Sequence, residues 1–211
     1  MMLKPAIGAR DRVVLAWCAA LATVLLGGCA SPYPLAPSTA PGGANYVYHI
    51  GPSDIVNVIV WRNPELSMSV PVRPDGKITT PLIDDLPAIG KTPTELERDM
   101  EQALGKFIRD PVVSIVVTSF TGPRDERIRV IGEAAKPGAL PYQRDMTLLD
   151  VVLQVGGLSD FADGNEARLF RVAEGGKLYR VRLRDLVKKG DISANVDILP
   201  GDILIIPQSW F

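Results

Sequence analysis

Hydrophobic residues after position 44 recur mainly with the period of short β-strands. Residues 55–61 are apolar on both faces and predict a buried strand, while residues 66–72 alternate apolar with polar and predict a half-buried one. Asp75-Gly76 favours a type I′ hairpin turn into a returning strand over residues 77–83. The start of the folded chain is therefore predicted to consist of strands.

A well-marked helix start follows at Thr92. Thr92 and Glu95 form a capping box around Pro93, which takes the first helical position. One apolar face follows at helical spacing, made by Leu96, Met100, Ala103, Leu104 and Phe107. Asp110-Pro111 is expected to end the helix, and the β-branched stretch 112–120 is expected to form a strand. The predicted order over residues 45–122 is β-β-β-α-β.

A second set of elements is predicted over residues 123–211. Apolar and basic residues alternate over 127–130, and Thr147 and Asp150 cap a helix that stops at Gly156-Gly157. The remaining predicted elements are a hairpin around 174–176, a helical turn over 185–189 and a strand over 203–206. The predicted fold class is α+β, with two small β-rich modules that each have a mixed sheet and one main helix. The second module is expected to be β-grasp-like.

Two tight turns resemble each other, and each leads through an aspartate into an apolar strand. The first is Gly51-Pro52-Ser53-Asp54 and the second is Leu199-Pro200-Gly201-Asp202. An aspartate in such a turn accepts hydrogen bonds from nearby backbone N–H groups. We therefore interpret both aspartates as turn-stabilising acceptors, not as catalytic or metal-binding residues.

The first 28 residues are typical of a bacterial secretion signal. Basic residues precede an uncharged apolar run over residues 13–26, which is shorter than the roughly 17–25 residues of a permanent membrane helix. The run ends at Leu26-Gly27-Gly28-Cys29, which resembles the lipobox in which a cysteine receives diacylglycerol. Cys29 is therefore the predicted lipidation site, and an ordinary signal peptide with an incidental cysteine is the alternative. In Gram-negative lipoproteins similar to this one, Ala30 implies sorting to the outer membrane.

Residues 29–44 are rich in proline and glycine and carry no charge. This composition favours an extended tether that could hold the folded part up to about 45 Å from the lipid. The predicted organisation is thus a lipoprotein signal peptide over 1–28, a tether over 29–44, and modules over 45–122 and 123–211.

The composition narrows the possible partners. The 211 residues include 23 Lys+Arg and 24 Asp+Glu, a net charge of −1, so the basic field that binds nucleic acid is missing. Cys18 lies in the signal, which leaves Cys29 as the sole cysteine of the mature chain and excludes an intrachain disulfide. Stability must then come from core burial and assembly.

Candidate catalytic and metal-binding residues are few. His49 is the single histidine, which excludes a histidine-pair zinc site, and we interpret it as structural. Asp84-Asp85 would point to opposite faces of a strand and could not share a proton. Asp160, Asp163 and Glu166 lack the spacing of a calcium-binding loop. We therefore expect no catalytic residue, no cofactor and no metal.

Arginine is frequent in the second module. Seven arginines are candidates for a basic face: Arg127, Arg129, Arg168, Arg171, Arg180, Arg182 and Arg184. A solvated face is the usual outcome of such a pattern. The alternatives are the lining of a conduit for an acidic glycan and a contact with a neighbouring subunit.

Motifs in both modules resemble those of one family. In the first module, the motifs that resemble the polysaccharide export (PES) domain are 48–54, 72–78, 81–83, 92–96 and 110–113. In the second, those that resemble the SLBB (soluble ligand-binding β-grasp) domain are 129–133, 136–138, 147–150, 156–158 and 200–202. The chain is similar to outer-membrane polysaccharide export lipoproteins, in a short form like those encoded with exosortase (PEP-CTERM) systems.

The pattern also departs from that family. Many members carry two or more SLBB domains and a C-terminal amphipathic helix that forms a pore, whereas here one SLBB pattern is present and no helix is predicted after Ile206. Asp84 stands where the family usually has glycine. Residues 29–211 contain no run of about 20 apolar residues. The chain alone is therefore not expected to span the outer membrane, even when several copies associate into the ring that the resemblance implies.

The resemblance implies a non-enzymatic, periplasm-facing component that guides exopolysaccharide or capsule polysaccharide outward. It implies a closed homo-oligomeric ring, for which an octamer is one candidate size. The expected partners are polysaccharide, an inner-membrane co-polymerase or tyrosine-kinase-type chain-length protein, and a separate outer-membrane β-barrel. The rival interpretation is a ligand-binding outer-membrane lipoprotein that captures a soluble glycan or small molecule. A glycan-modifying enzyme is the least favoured class.

Overall fold

The computed structural model describes residues 32–39 and 46–210. The predicted signal peptide, the lipidation site Cys29 and part of the predicted tether lie outside the described residues. Within these two ranges, no helix combines the length and the apolar character needed to cross a bilayer.

The described residues form short strands and three α-helices. The strands are β1 Ile55–Val60, β2 Met68–Pro71, β3 Lys77–Thr80, β4 Ile83–Pro87, β5 Val113–Ser119, β6 Ile128–Gly132, β7 Gly138–Leu140, β8 Ala167–Arg171, β9 Lys177–Val181 and β10 Ile203–Ile206. The helices are α1 Pro93–Leu104, α2 Leu148–Gln154 and α3 Leu183–Lys189. Single 3₁₀ turns occur at Pro64–Leu66, Val172–Glu174 and Ile192–Ala194.

The first module contains two small sheets and α1. Strands β2, β1 and β5 form an antiparallel sheet in that order, and β3 and β4 form a separate antiparallel pair. Helix α1 packs along β5, and its buried face is made by Leu96, Met100 and Leu104. The carboxylates of Glu97 and Glu101 accept hydrogen bonds from the N–H groups of Ile115 and Val113, at 2.8 and 3.0 Å. These bonds fix the helix against the edge of β5, where a strand N–H would otherwise lack an acceptor.

The second module is built on one mixed sheet. Its strand order is β7-β6-β10-β8-β9, with β10 parallel to β6 and the other pairs antiparallel. Helix α2 begins at the predicted capping box, where Thr147 N donates to the carboxylate of Asp150 at 2.8 Å. It ends before Gly156 and Gly157, whose φ angles of 79° and 94° suit glycine. The predicted α+β class with two β-rich modules is confirmed.

The predicted type I′ turn at Asp75-Gly76 is wrong. Arg73 O accepts from Gly76 N at 2.8 Å, and Arg73 N donates to Lys77 O at 2.9 Å. Pro74 and Asp75 are therefore the central residues of the turn, and Gly76 follows with φ 82°. Proline has a fixed negative φ that suits the first central position of an ordinary turn, which moves the turn back by one residue.

The predicted returning strand over 77–83 is also wrong in part. It breaks at Pro81-Leu82, where Leu82 adopts φ 68°, and the chain reverses into β4. Strand β3 therefore pairs with β4 instead of β2, and four strands precede α1 instead of three. Proline has no N–H for a sheet ladder, which explains the break at this position.

Helix α1 is shorter than predicted. It ends at Leu104 with Gly105 as its cap, well before Asp110-Pro111. Phe107, which was expected on the buried face, lies after the helix and is 57% exposed. Glycine is a weak helix former, so Gly105 ends the helix as soon as the apolar face is complete.

Candidate functional site

The buried carboxylate of Asp54 holds the end of the first module, next to the boundary with the second. Its Oδ1 accepts hydrogen bonds from the backbone N–H groups of Thr121 and Gly122, at 2.6 and 2.9 Å. Its Oδ2 accepts from Gly51 N at 2.7 Å and from the hydroxyl of Tyr48. The predicted turn-stabilising role of Asp54 is thereby confirmed, and the same carboxylate also holds the chain segment that leaves the first module. Hydrogen bonds to an ionised acceptor are the strong ones, so this contact is a firm joint.

Close backbone packing accompanies this joint. A Cβ added at Gly51 would lie 2.1 Å from the carbonyl carbon of Gly122. No side chain fits at position 51 without moving the segment that Asp54 holds. Gly51 and Asp54 therefore act together in bringing the two segments into contact.

Glu126 forms a second link across the same region. Its carboxylate accepts a 2.8 Å hydrogen bond from the Tyr46 hydroxyl and lies 3.4 Å from Nδ1 of His49. Burial and the neighbouring carboxylates raise the pKa of Tyr46 and that of Tyr48 above the ordinary tyrosine value. Both hydroxyls therefore remain protonated donors at neutral pH. His49 contacts this link, in agreement with its interpretation as structural.

Aromatic rings line a crevice beside these links. Tyr46 packs edge-on against Tyr142 with ring centres 4.7 Å apart, and Tyr48 packs edge-on against Phe120 at 5.4 Å. The crevice has a volume of about 590 Å³ and is also lined by Arg127, Gln143 and Arg144. Its walls thus come from both modules, including residues 120–123 at the boundary between them.

Some polar groups of the crevice are engaged in hydrogen bonds within the protein, and at least one is not. Arg144 donates to the carbonyl of Tyr46 at 2.6 Å, and Arg127 donates to the carbonyl of Thr121 at 3.2 Å. The hydroxyl of Tyr142 is buried and has no hydrogen-bond partner in the part of the chain that the structure describes. Aromatic walls with a few polar groups are typical of small-ligand pockets. Such rings can pack on the C–H faces of a sugar, and arginine can bind hydroxyl or carboxylate groups.

The arrangement offers no catalytic pair. Asp54 and Glu126 are both occupied as acceptors of hydrogen bonds that hold the fold together. Over residues 32–39 and 46–210, no group of His, Cys, Asp and Glu side chains is placed to hold a metal ion. The crevice can bind, but its own residues provide no activated nucleophile or general base.

Asp202, the second aspartate predicted to stabilise a turn, lies in the second module and is fully buried. Its Oδ2 accepts from Leu199 N at 2.9 Å and lies 3.4 Å from Nε of the equally buried Arg171. Burial raises the pKa of Asp202 to about 6, because desolvation outweighs the N–H group and the guanidinium that favour its charge. Its predicted role as a turn acceptor is confirmed.

Three of the seven arginines lie on one face of the second module's sheet. Arg168 pairs directly with Arg180. Arg129 pairs with Ile203, which lies two residues before the partner of Arg168 and so on the same face. Arg171, Arg180 and Arg182 pair with carboxylates, including that of Glu166 at 3.1 Å from Arg180. Arg127, Arg129 and Arg184 donate to backbone carbonyls, and Arg168 lies over the ring of Tyr33. All seven arginines thus have a local partner, and three of them share one face of the sheet.

Apart from Arg127, one of the seven candidate arginines, the crevice residues are not predicted from the sequence. Tyr46 and Tyr48 are two positions apart, so an extended backbone turns both rings to the same side, and this spacing is the one local signal. Tyr142 and Arg144 come from a loop almost a hundred residues away and carry no local signal. Cys29 lies outside the described residues and stays a prediction.

Comparison with protein families identifies both modules. Residues 42–118 match the family described as polysaccharide biosynthesis/export protein, and residues 127–182 match the SLBB domain. The chain belongs to the polysaccharide export family. This is a family of export proteins and not of enzymes, so the predicted absence of an enzymatic role is confirmed by the family assignment.

Curated relatives carry names that agree with this family. The chain is 26% identical over 185 residues to the EPS I polysaccharide export outer membrane protein EpsA of Ralstonia nicotianae. The aligned region covers 76% of this chain and 47% of that protein. The chain is 28% identical over 165 residues to the exopolysaccharide production protein ExoF of Rhizobium meliloti, covering 71% and 38%. The chain thus spans about half the length of these relatives or less.

Proposed function

We propose that this protein is a lipid-anchored component of an exopolysaccharide or capsule export channel and guides polysaccharide across the outer membrane. The observation that carries the proposal is the order of an export domain followed by an SLBB domain in one chain. The EpsA proteins of two Ralstonia species, both named as export outer membrane proteins, support an outer-membrane location.

The proposed anchor is diacylglycerol on Cys29 after removal of residues 1–28, with the folded part facing the periplasm. A single acyl chain binds a membrane reversibly, whereas two or more give stable anchoring. Metabolic labelling with palmitate should mark the wild-type protein and fail in Cys29→Ser. Persistent labelling of that variant would show that the lipid is elsewhere.

In the proposed mechanism, the protein guides the polysaccharide and catalyses no chemical reaction on it. Copies of the chain form a closed ring, of which an octamer is one candidate size, and the polymer passes along it. The ring would dock between an inner-membrane co-polymerase or tyrosine-kinase-type chain-length protein and a separate outer-membrane barrel. Two modules without disulfides expose sheet edges, and association is the usual way to cover such edges.

Secretion of polysaccharide is the direct test. In a deletion strain, extracellular polysaccharide should fall sharply and return with the wild-type gene, but only weakly with Cys29→Ser. The measurement is uronic-acid and hexose content of culture supernatant and of periplasmic extract. Undiminished secretion in the deletion strain, with no periplasmic accumulation, would contradict an export role.

The crevice favours a second candidate function, capture of a soluble glycan. Its volume of about 590 Å³, its four aromatic rings and its two arginines suit a short oligosaccharide. A receptor should be monomeric and bind tightly, whereas a conduit should self-associate and bind weakly. Electron microscopy of the detergent-extracted protein, combined with calorimetry on depolymerised exopolysaccharide from the producing strain, separates the two.

A further inference from the structure

Part of the predicted tether is bound to the second module as an additional strand. Arg180 N donates to the carbonyl of Pro34 at 2.8 Å, and Ala36 N donates to the carbonyl of Arg180 at 3.1 Å. Leu35 thereby forms a parallel bridge with Arg180, near the C-terminal end of β9. The segment 33–38 is thus not the free spacer that its composition predicted.

Further contacts extend the bound segment on both sides of this bridge. The guanidinium of Arg168 lies 5.1 Å above the ring centre of Tyr33, a cation–π contact. Ala36 packs against the core of the second module, and Ser38 O accepts from Asp197 N at 3.2 Å. Tyr33 and Ser38 are therefore held as well as the residues between them.

The sheet provides a physical reason for this binding. Strand β9 is the last strand of the order β7-β6-β10-β8-β9, so the side of β9 facing away from β8 has no partner within the sheet itself. An open edge is a template for any extended chain. Prolines at 34 and 37 lack N–H groups, but the Ala36 N–H between them makes the ladder bond, so a proline-rich segment still fits this edge.

We propose that the β9 edge captures the segment between the lipid anchor and the first module, and that this edge faces the lipid surface of the membrane. The proposal rests on the lipidation of Cys29 that forms part of the proposed function. Only four peptide units separate Cys29 from Tyr33, a span of at most about 14 Å when fully extended. A free tether would instead allow about 45 Å. Capture therefore converts a loose tether into an orienting contact with the bilayer.

The first test compares two proline variants in the full mature lipoprotein in detergent micelles. Ala36→Pro removes the N–H that donates to Arg180, whereas Leu35→Pro changes a residue whose N–H makes no hydrogen bond in the described part of the chain. Hydrogen exchange of the Arg180 amide is the readout, because that amide donates to Pro34. Its exchange should be about tenfold faster in Ala36→Pro and unchanged in Leu35→Pro. Equal protection in both variants and the wild type would overturn the capture.

The second test measures the distance to the membrane. A donor dye on Lys177→Cys, at the start of β9, is observed in vesicles of phosphatidylethanolamine and phosphatidylglycerol that contain an acceptor-labelled lipid. Energy transfer should be strong with the native tether, clearly lower with Ala36→Pro and unchanged with Leu35→Pro. Transfer that is identical in all three would overturn the orientation. Wild-type protein that fails to float with the vesicles would refute the anchoring itself, while the exchange experiment still decides the capture.

Discussion

Replacing Asp54 with asparagine should destabilise the protein by about 3 kcal/mol, because the contact that holds the end of the first module depends on both carboxylate oxygens. Asparagine can keep an acceptor oxygen toward the N–H groups of Thr121 and Gly122. Its NH₂ group then faces Gly51 N, 2.7 Å away in the native contact, which loses its acceptor. The Tyr48 hydroxyl can turn and accept, so it need not be lost.

The magnitude follows from two contributions. A buried N–H without an acceptor costs about 1–3 kcal/mol, and the two bonds that lose their ionic acceptor weaken by roughly 0.5–1 kcal/mol each. Asp54 is fully buried, so solvent does not compensate either loss. The sum is close to 3 kcal/mol.

Urea denaturation followed by circular dichroism, at one fixed protein concentration, measures this change. With a slope of about 2 kcal/mol per molar urea, the midpoint should fall by about 1.5 M. Asp84→Asn is the matched control, since the Asp84 carboxylate is exposed and makes no hydrogen bond or ion pair within the described ranges. If Asp54→Asn shifts the midpoint no more than Asp84→Asn does, the carboxylate is not the joint that we describe.

Three further outcomes are expected. Because burial raises the pKa of Asp202 to about 6 from an ordinary 3.8, the folded state binds a proton that the unfolded state does not, so the free energy of unfolding should rise by about 1 kcal/mol as pH falls from 7 to 5. Asp202→Asn should flatten this dependence of the unfolding free energy on pH, measured by urea denaturation. The carboxylates whose pKa values are lowered change the free energy of unfolding only below about pH 4.5, outside this range. Thr92→Ala should cost about 1 kcal/mol of unfolding free energy through loss of the cap, against little change for the exposed Thr94→Ala. Phe120→Ala should weaken calorimetric binding of depolymerised exopolysaccharide about fivefold, whereas Phe107→Ala, equally exposed but outside the crevice, should not.

The features that the sequence predicts well are those fixed by neighbours along the chain. Both capping boxes form, because Thr92 with Glu95 and Thr147 with Asp150 need only one turn of backbone. The stop at Gly156-Gly157 is likewise local. The end of α1 and the partner of β3 were mispredicted, because Gly105 and Pro81-Leu82 decide them through backbone properties that the hydrophobic period does not contain.

The crevice could not be predicted for a different reason. It requires residues near 46, 120–127 and 142–144 to converge, and convergence over almost a hundred residues leaves no periodic trace. The tether posed the same difficulty. Its prolines correctly indicate an extended backbone, but whether an extended segment is free or bound depends on the open edge of β9, which is formed by residues far along the chain.

The carboxylates of Asp54 and Glu126 lie at the boundary between the two modules and hold the residues there in place. Asp54 bonds Thr121 and Gly122 at the end of the first module, and Glu126 of the second module bonds Tyr46 of the first. The bond between Glu126 and Tyr46 therefore crosses the boundary, and the bonds of Asp54 fix the end of the first module beside it. The crevice walls come from both modules, so neither module alone presents the aromatic pair Tyr46–Tyr142. Contacts that are already formed in the free protein need no ordering when a ligand binds, which lowers the entropic cost of binding in the proposed glycan-contacting role.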